Sequence, residues 1–168
     1  RVIAIQNIHS MFKNATSYPK SYECLENLTE LELFSTLTLL RKGKLTLHNH
    51  KMSESVEFLL YLNNICSTYE VIDNSIRLWY QEIQKISNHF DFSNLSSFSA
   101  FFLIVLNLKY NKPFTVKIVF NEYTKKMLKM FRDYKIKMQD IKVVSGNLVI
   151  KFDTSIPKIN THIQVESF

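Results

Sequence analysis

Gly43 and Gly146 are the only glycines in 168 residues, and there are three prolines. That scarcity narrows the fold before any pattern is read. Loops that cradle a phosphate or a dinucleotide need several glycines, because the backbone must approach the ligand closely or take positive φ. No GxGxxG, P-loop or GxSxG segment occurs, so no catalytic residue is assigned and no enzyme is expected. Turns must be served mostly by Asn, Ser and Lys. Hydrophobic residues make up 46% of the chain, which excludes a disordered tail and allows one domain or two small subdomains with a modest shared core.

The formal net charge is +6, with a pI near 9.2. A basic balance favours a polyanionic partner, nucleic acid first. The longest apolar run, Phe98 to Leu108, falls short of the ~20 residues of a membrane span, so no membrane is expected as a partner. Cys24 and Cys66, the only cysteines, have no metal spacing and read as buried free thiols. His48 and His50 would share one strand face with no third ligand, so neither a metal nor a cofactor is expected, and no small-molecule substrate. The sequence opens on Arg1 rather than Met, which fits an upstream segment either removed or left out of the sequence.

Periodicity predicts helices over 2–13 and 26–41. The second would present Leu28, Leu31, Phe34, Leu37 and Leu40 on one face, leave Glu30 and Glu32 solvated, and close at "RKGK" with its glycine. "KLTLHNH" alternates as a strand, and Ser53 and Ser55 would cap a helix running to Ile65. "STYEVID" and "SIRLWYQ" read as strands joined through Asp73-Asn74. Residues 81–97 give no clear pattern, and "SAFFLIVLNLKY" fits a buried strand or a short helix equally. "PFTVKIVF" reads as a strand. "NEYTKKMLKMFRDYK" reads as a helix with Tyr123, Met127, Met130 and Phe131 at helical spacing. "KVVSGNLVIKF" reads as a hairpin and "THIQVES" as a closing strand.

The expected class is α+β with two small subdomains. One is an N-terminal α-β-α-β-β unit over 1–112; the other, over 113–168, is mostly antiparallel β with a short helix. An offset of 67 to 69 residues lays "NLTELELFSTLTLLRKGKLTL" over "NLSSFSAFFLIVLNLKYNKPFTV". A solenoid normally needs three or more repeats, so two amphipathic segments that look alike is the simpler account.

Cations crowd the second half. Lys109, Lys112, Lys117, Lys125, Lys126, Lys129, Arg132, Lys135, Lys137 and Lys142 are interleaved with Tyr110, Tyr123, Phe131 and Tyr134. Such density suits phosphate and sugar contact with stacking on exposed bases. Met127, Met130 and Phe131 read as core, while Lys129, Arg132 and Lys158 read as phosphate contacts.

"LKYNKPFTVKI", "FRDY" and "DIKVVSGNLVIKFDTS" follow one another in an order and at a spacing that resemble the ribosomal protein eight family of the bacterial-type small subunit. Lys142 to Ser155 matches the family's stretch without a gap, with Asp153-Thr154-Ser155 on its Ser-Thr-Ser tip. "MFKNA" and "HNHK" resemble its first-helix end and the turn before its second helix. The chain departs from the family at "TKKMLKM", at Asn64 and at Asp153, and residues 26–43 and 81–98 would be insertions. The resemblance implies an RNA-binding protein that organises the central domain of small-subunit rRNA beside neighbouring small-subunit proteins. The drift and AT-biased composition imply a mitochondrial ribosome, with the cytoplasm as the alternative. It further implies that Thr154 and Ser155 enter a minor groove, where A-form RNA offers 2′-hydroxyls. Lys158, Arg132, Lys129, Lys51 and Lys13 would hold phosphates, and Asn14 would donate to the backbone.

Two other readings compete. Residues 32–62 faintly resemble part of a Rossmann-like RNA 2′-O-methyltransferase, here degenerate and noncatalytic, which requires a parallel sheet. A winged-helix module requires its cations on one recognition helix.

Overall fold

The computed structural model describes residues 22–23, 28–48, 56–83, 88–111 and 113–153. The expected helix over 2–13, the Ser53 and Ser55 caps, Cys24, His50 and the closing strand lie outside them. The described elements run β1 (Tyr22–Glu23), α1 (Leu28–Leu40), β2 (Lys44–His48), α2 (Val56–Ile65), β3 (Ser67–Ile72), β4 (Ser75–Tyr80), β5 (His89–Asp91), α3 (Ser97–Tyr110), β6 (Phe114–Val119), α4 (Glu122–Asp133), β7 (Met138–Val144) and β8 (Asn147–Phe152).

The alternation that marked β6 and β8 fixes their register, since a slip of one residue would turn every apolar side chain outward. Phe114 lies opposite Phe152, Val116 opposite Ile150 and Ile118 opposite Leu148, and all six are buried. β5 joins β6 in parallel and β7 joins β8 as a hairpin, giving the order β5-β6-β8-β7. The first sheet has the same plan: β1 parallel to β2, β2 antiparallel to β4, β4 antiparallel to β3, in the order β1-β2-β4-β3. The fold is therefore α+β with two small units, each built as strand, helix, strand, helix and hairpin. Sheet pairing puts the strand at 89–91, ahead of residue 112, in the second sheet.

The equivalence extends to register. Leu45 opposite Leu78 corresponds to Val116 opposite Ile150, and Thr46 opposite Arg77 to Lys117 opposite Val149. A bulge between Gln139 and Lys142 supplies the extra residue of β7. The two similar segments of sequence thus occupy matching places, α1 with β2 and α3 with β6. The sheet register sets the matching strands 71 residues apart, Leu45 against Val116, rather than the 67 to 69 of the sequence overlay.

Helices from both units meet in the middle. α1 packs on β2 and β4, α2 on β3, and α3 on β6, while α3 also packs against α1, α2 and α4. The layers are sheet, helices, helices, sheet. This explains why α3 showed no period: a helix apolar on nearly every side is one buried on nearly every side. Phe102, Leu103, Ile104, Leu106 and Leu108 are all buried. A run of rings crosses the interior, Phe101–Phe131–Phe152–Phe114–Phe90–Phe92–Tyr61, with successive centroids 4.9 to 6.4 Å apart. It ends on α2 of the first unit, where the Tyr61 hydroxyl donates to the Asp91 carbonyl at 2.6 Å.

Buried neighbours on two sides also overturn the expected face of α1. Leu31, Phe34 and Leu39 are buried, but Leu37 is 37% exposed, and Glu32, expected in solvent, is only 2% exposed. Glu32 faces the first turn of α3, where the Ser99 hydroxyl donates to its carboxylate and Ser96 caps the helix. The hydroxyls of Ser35 and Thr36 are buried beside this seam with no hydrogen-bond partner among the described residues. Burial holds the Glu32 carboxyl above the ordinary carboxylate range, against the lowering pull of Ser99. A raised carboxyl stabilises the fold below its unfolded value, and that contribution is lost as pH rises through the folded value. Glu32→Gln is therefore expected to stabilise the protein at pH 7, on the order of 1 kcal/mol, with the gain vanishing near pH 4. Melting curves across that range check the sign; a gain that grows toward acid would refute it.

Turn chemistry follows from the shortage of glycine. Lys42, Asp73, Lys135, Asp140 and Ser145 all take positive φ. At the end of α1 the left-handed residue is Lys42, not the glycine expected there: Gly43 N–H donates to the Thr38 carbonyl at 2.9 Å and Lys42 N–H to Leu39 at 3.0 Å. A Cβ at Gly43 would sit 3.3 Å from the Thr38 methyl and carbonyl, a tight contact that a small shift would have to relieve. Of the two described hairpin turns, Ser145-Gly146 has both residues at positive φ and Asp73-Asn74 has Asp73 alone.

Candidate nucleic-acid interface

α4 begins with reciprocal caps. Asn121 accepts from Thr124 N–H at 3.0 Å, and the Thr124 hydroxyl accepts from Asn121 N–H at 2.9 Å. Thr124, Met127, Leu128 and Phe131 turn inward. Tyr123, placed on that apolar face by its spacing, is 42% exposed. The opposite face shows Lys125, Lys126, Lys129 and Arg132 to solvent. Lys125 is paired with Glu122 at 2.5 Å.

The helix closes as α1 does. Ile136 N–H donates to the Phe131 carbonyl and Lys135 N–H to Arg132, both at 2.9 Å, with Lys135 left-handed. This turn folds Lys135 and Lys137 back beside Arg132. A shallow open groove lies there, lined by Arg132, Lys135, Lys137 and Gln139 together with Ile136, Met138 and Ile141. Lys129, Arg132, Lys135 and Lys137 form no ion pair among the described residues. Exposed cations beside such a surface have the charge to hold phosphates. Sequence reasoning named Lys129 and Arg132 as contacts. It counted Lys135 and Lys137 among the basic residues, but nothing in their spacing showed that a left-handed turn would gather them.

Of the expected contacts, Thr154, Ser155, Lys158, Lys51, Lys13 and Asn14 lie outside the described residues. Asp153, the last described residue, accepts from Gln139 Nε2 at 2.7 Å, and Gln139 lines the groove. The amide is neutral, so the Asp153 carboxylate keeps its charge beside the groove and opposes phosphate at that point.

The outer face of the second sheet is also basic. A row across it runs Asp91, Lys117, Val149, Lys142, in which Lys117 is tied to Asp91 at 3.5 Å.

Other candidate chemistry is quiet. Burial pushes the Cys66 thiol up to about 12, so it is no nucleophile at neutral pH. The His48 ring is engaged with the Ser75 hydroxyl at 3.0 Å. Among the described residues no cluster of His, Cys, Asp and Glu can hold a metal, and no helix is long and apolar enough to cross a membrane. Both sheets are mixed, with one parallel pair each, so the parallel sheet required by a methyltransferase-like domain is not found among the described residues. Cations do gather on one helix, as a winged-helix module would have them. α4, however, is a crossover from β6 to β7, with β8 between those strands, and not the second helix of a helix-turn-helix.

No protein-family model matches this chain. No curated protein matches it significantly either.

Proposed function

We propose that this chain is a structural rRNA-binding protein of a small ribosomal subunit, of the mitochondrial type, with a cytoplasmic ribosome as the alternative. Its partners would be the central domain of small-subunit rRNA and neighbouring small-subunit proteins. The observation that carries the reading is the set Arg132, Lys135 and Lys137 lining the groove, with Lys129 exposed on the same helix as Arg132, next to the point where Asp153 leads into Thr154 and Ser155. The +6 charge, the mixed sheet in each unit and the resemblance of Lys142 to Ser155 all favour it. The cations would hold phosphates, and the two hydroxyls would reach 2′-hydroxyls and base edges in a shallow minor groove.

The chain is expected to co-sediment with small subunits in native extract. Thr154→Ala combined with Ser155→Ala should weaken binding to the rRNA fragment about tenfold and leave the melting temperature within a degree or two. Wild-type affinity of that double variant at moderate salt would remove the hydroxyl pair from the interface.

A further inference from the structure

We infer that the outer face of the first sheet is a second contact, one that takes unpaired RNA by stacking a base on Trp79. The inference extends the RNA-binding reading to a face that plays no part in the groove.

In β4 the side chains of Ile76 and Leu78 are buried, so those of Ser75, Arg77 and Trp79 stand on the other side of the sheet. Trp79 is half-buried and, unlike Tyr80 beside it, is not packed on the core. Lys44 lies directly across from it on β2 and Thr68 across from it on β3. Antiparallel partners bring Cβ atoms to about 5 Å, so an exposed lysine is rooted next to the indole. The next row is Thr46, Arg77 and Glu70, with Arg77 and Glu70 bridged at 3.3 Å in the open. An exposed pair of that kind is worth little and yields readily to phosphate. Gln81 accepts from the Thr68 hydroxyl at 2.5 Å, which leaves its amide hydrogens at the end of the Trp79 row.

A half-buried indole on the outer side of a sheet, with cations in its own row and the next, has the chemistry of a single-strand platform: the ring takes a base face and the cations take the backbone. A duplex, whose bases are stacked on one another, offers no face to the ring. The matching positions of the second sheet show the contrast. Lys151 stands where Trp79 does, and Val149 where Arg77 does, so that sheet can attract a strand but cannot stack it. The two units divide the work, the second gripping folded RNA and the first holding an unpaired stretch.

Trp79 is the only tryptophan, so the protein's indole emission reports this face alone. The full chain is titrated with a twelve-nucleotide oligouridylate and with an RNA duplex of equal length. The single strand is expected to quench the emission at least twofold, and the duplex to leave it unchanged. Trp79→Ala should weaken oligouridylate binding about tenfold and Trp79→Phe less than threefold, with circular dichroism unaltered. Unchanged emission at saturating oligouridylate, or an alanine variant that binds like wild type, overturns the inference. If the groove variants still lose folded rRNA in that case, the RNA-binding reading stands without it.

Discussion

Phe152→Ala is expected to cost about 3–5 kcal/mol, the scale for emptying a fully buried aromatic site. Phe152 is 0% exposed. Its ring stacks on Phe114 at 4.9 Å and meets the edge of Phe131 at 5.7 Å. It joins three elements, because Phe114 belongs to β6 and Phe131 to α4. The cavity left behind has little means of collapse, since Phe114 is held in register by β8 and Phe131 leans on Phe101 of α3. Against a typical domain stability of about 5–15 kcal/mol, the loss is a large fraction. Urea titration of the variant checks it, with Val144→Ala as the control. Val144 is 50% exposed, and its truncation should stay within about 0.5 kcal/mol. If Phe152→Ala costs less than about 1 kcal/mol, α4 is not seated on its sheet as described, and the cations it carries lose their rigid support.

What could be read in the sequence was what local chemistry decides. β6 and β8 alternate because one of their faces meets helices and the other meets solvent, and that contrast is written two residues apart. α4 is equally plain, with Met127 and Phe131 inward and Lys129 and Arg132 outward on one amphipathic helix. α1 was read as a helix but with the wrong face, and α3 could not be told from a strand, for a shared reason: each is covered on two sides, so the polar-to-apolar contrast that periodicity needs is weakened. Glu32 looked like a surface residue because its partner, Ser99, lies 67 residues away. No window along the chain contains both. The same limit applied to the site. Lys135 and Lys137 were counted among the cations, but their meeting with Arg132 depends on a lysine adopting the conformation usually given to glycine. Trp79 was legible and passed over: the alternation in "SIRLWYQ" already put it with Arg77, opposite Ile76 and Leu78.

Lys135 gives the sharpest separation of folding from binding. A lysine at positive φ carries a conformational cost that glycine does not, so Lys135→Gly should leave stability unchanged or raise it by up to about 1 kcal/mol. The same change removes one cation from the groove. Each phosphate contact contributes about 0.7–0.9 to the slope of log K against log salt, so the slope for the rRNA fragment should fall by about one. Replacing Lys129, Arg132, Lys135 and Lys137 together, with alanine at the first two and last and glycine at 135, should lower it by about three. Near 0.1 M salt that corresponds to roughly a 100- to 1,000-fold loss of affinity. The four side chains are exposed and form no ion pair among the described residues, so the fold should survive and the comparison stays clean. Were the quadruple variant to keep both its affinity and its slope, phosphates would not run along this groove. The interface would then have to be sought elsewhere, on the basic outer face of the second sheet or on the residues beyond Asp153. A loss of affinity with an unchanged slope would mean instead that the substitutions acted through packing, which the melting curve of the same variant decides.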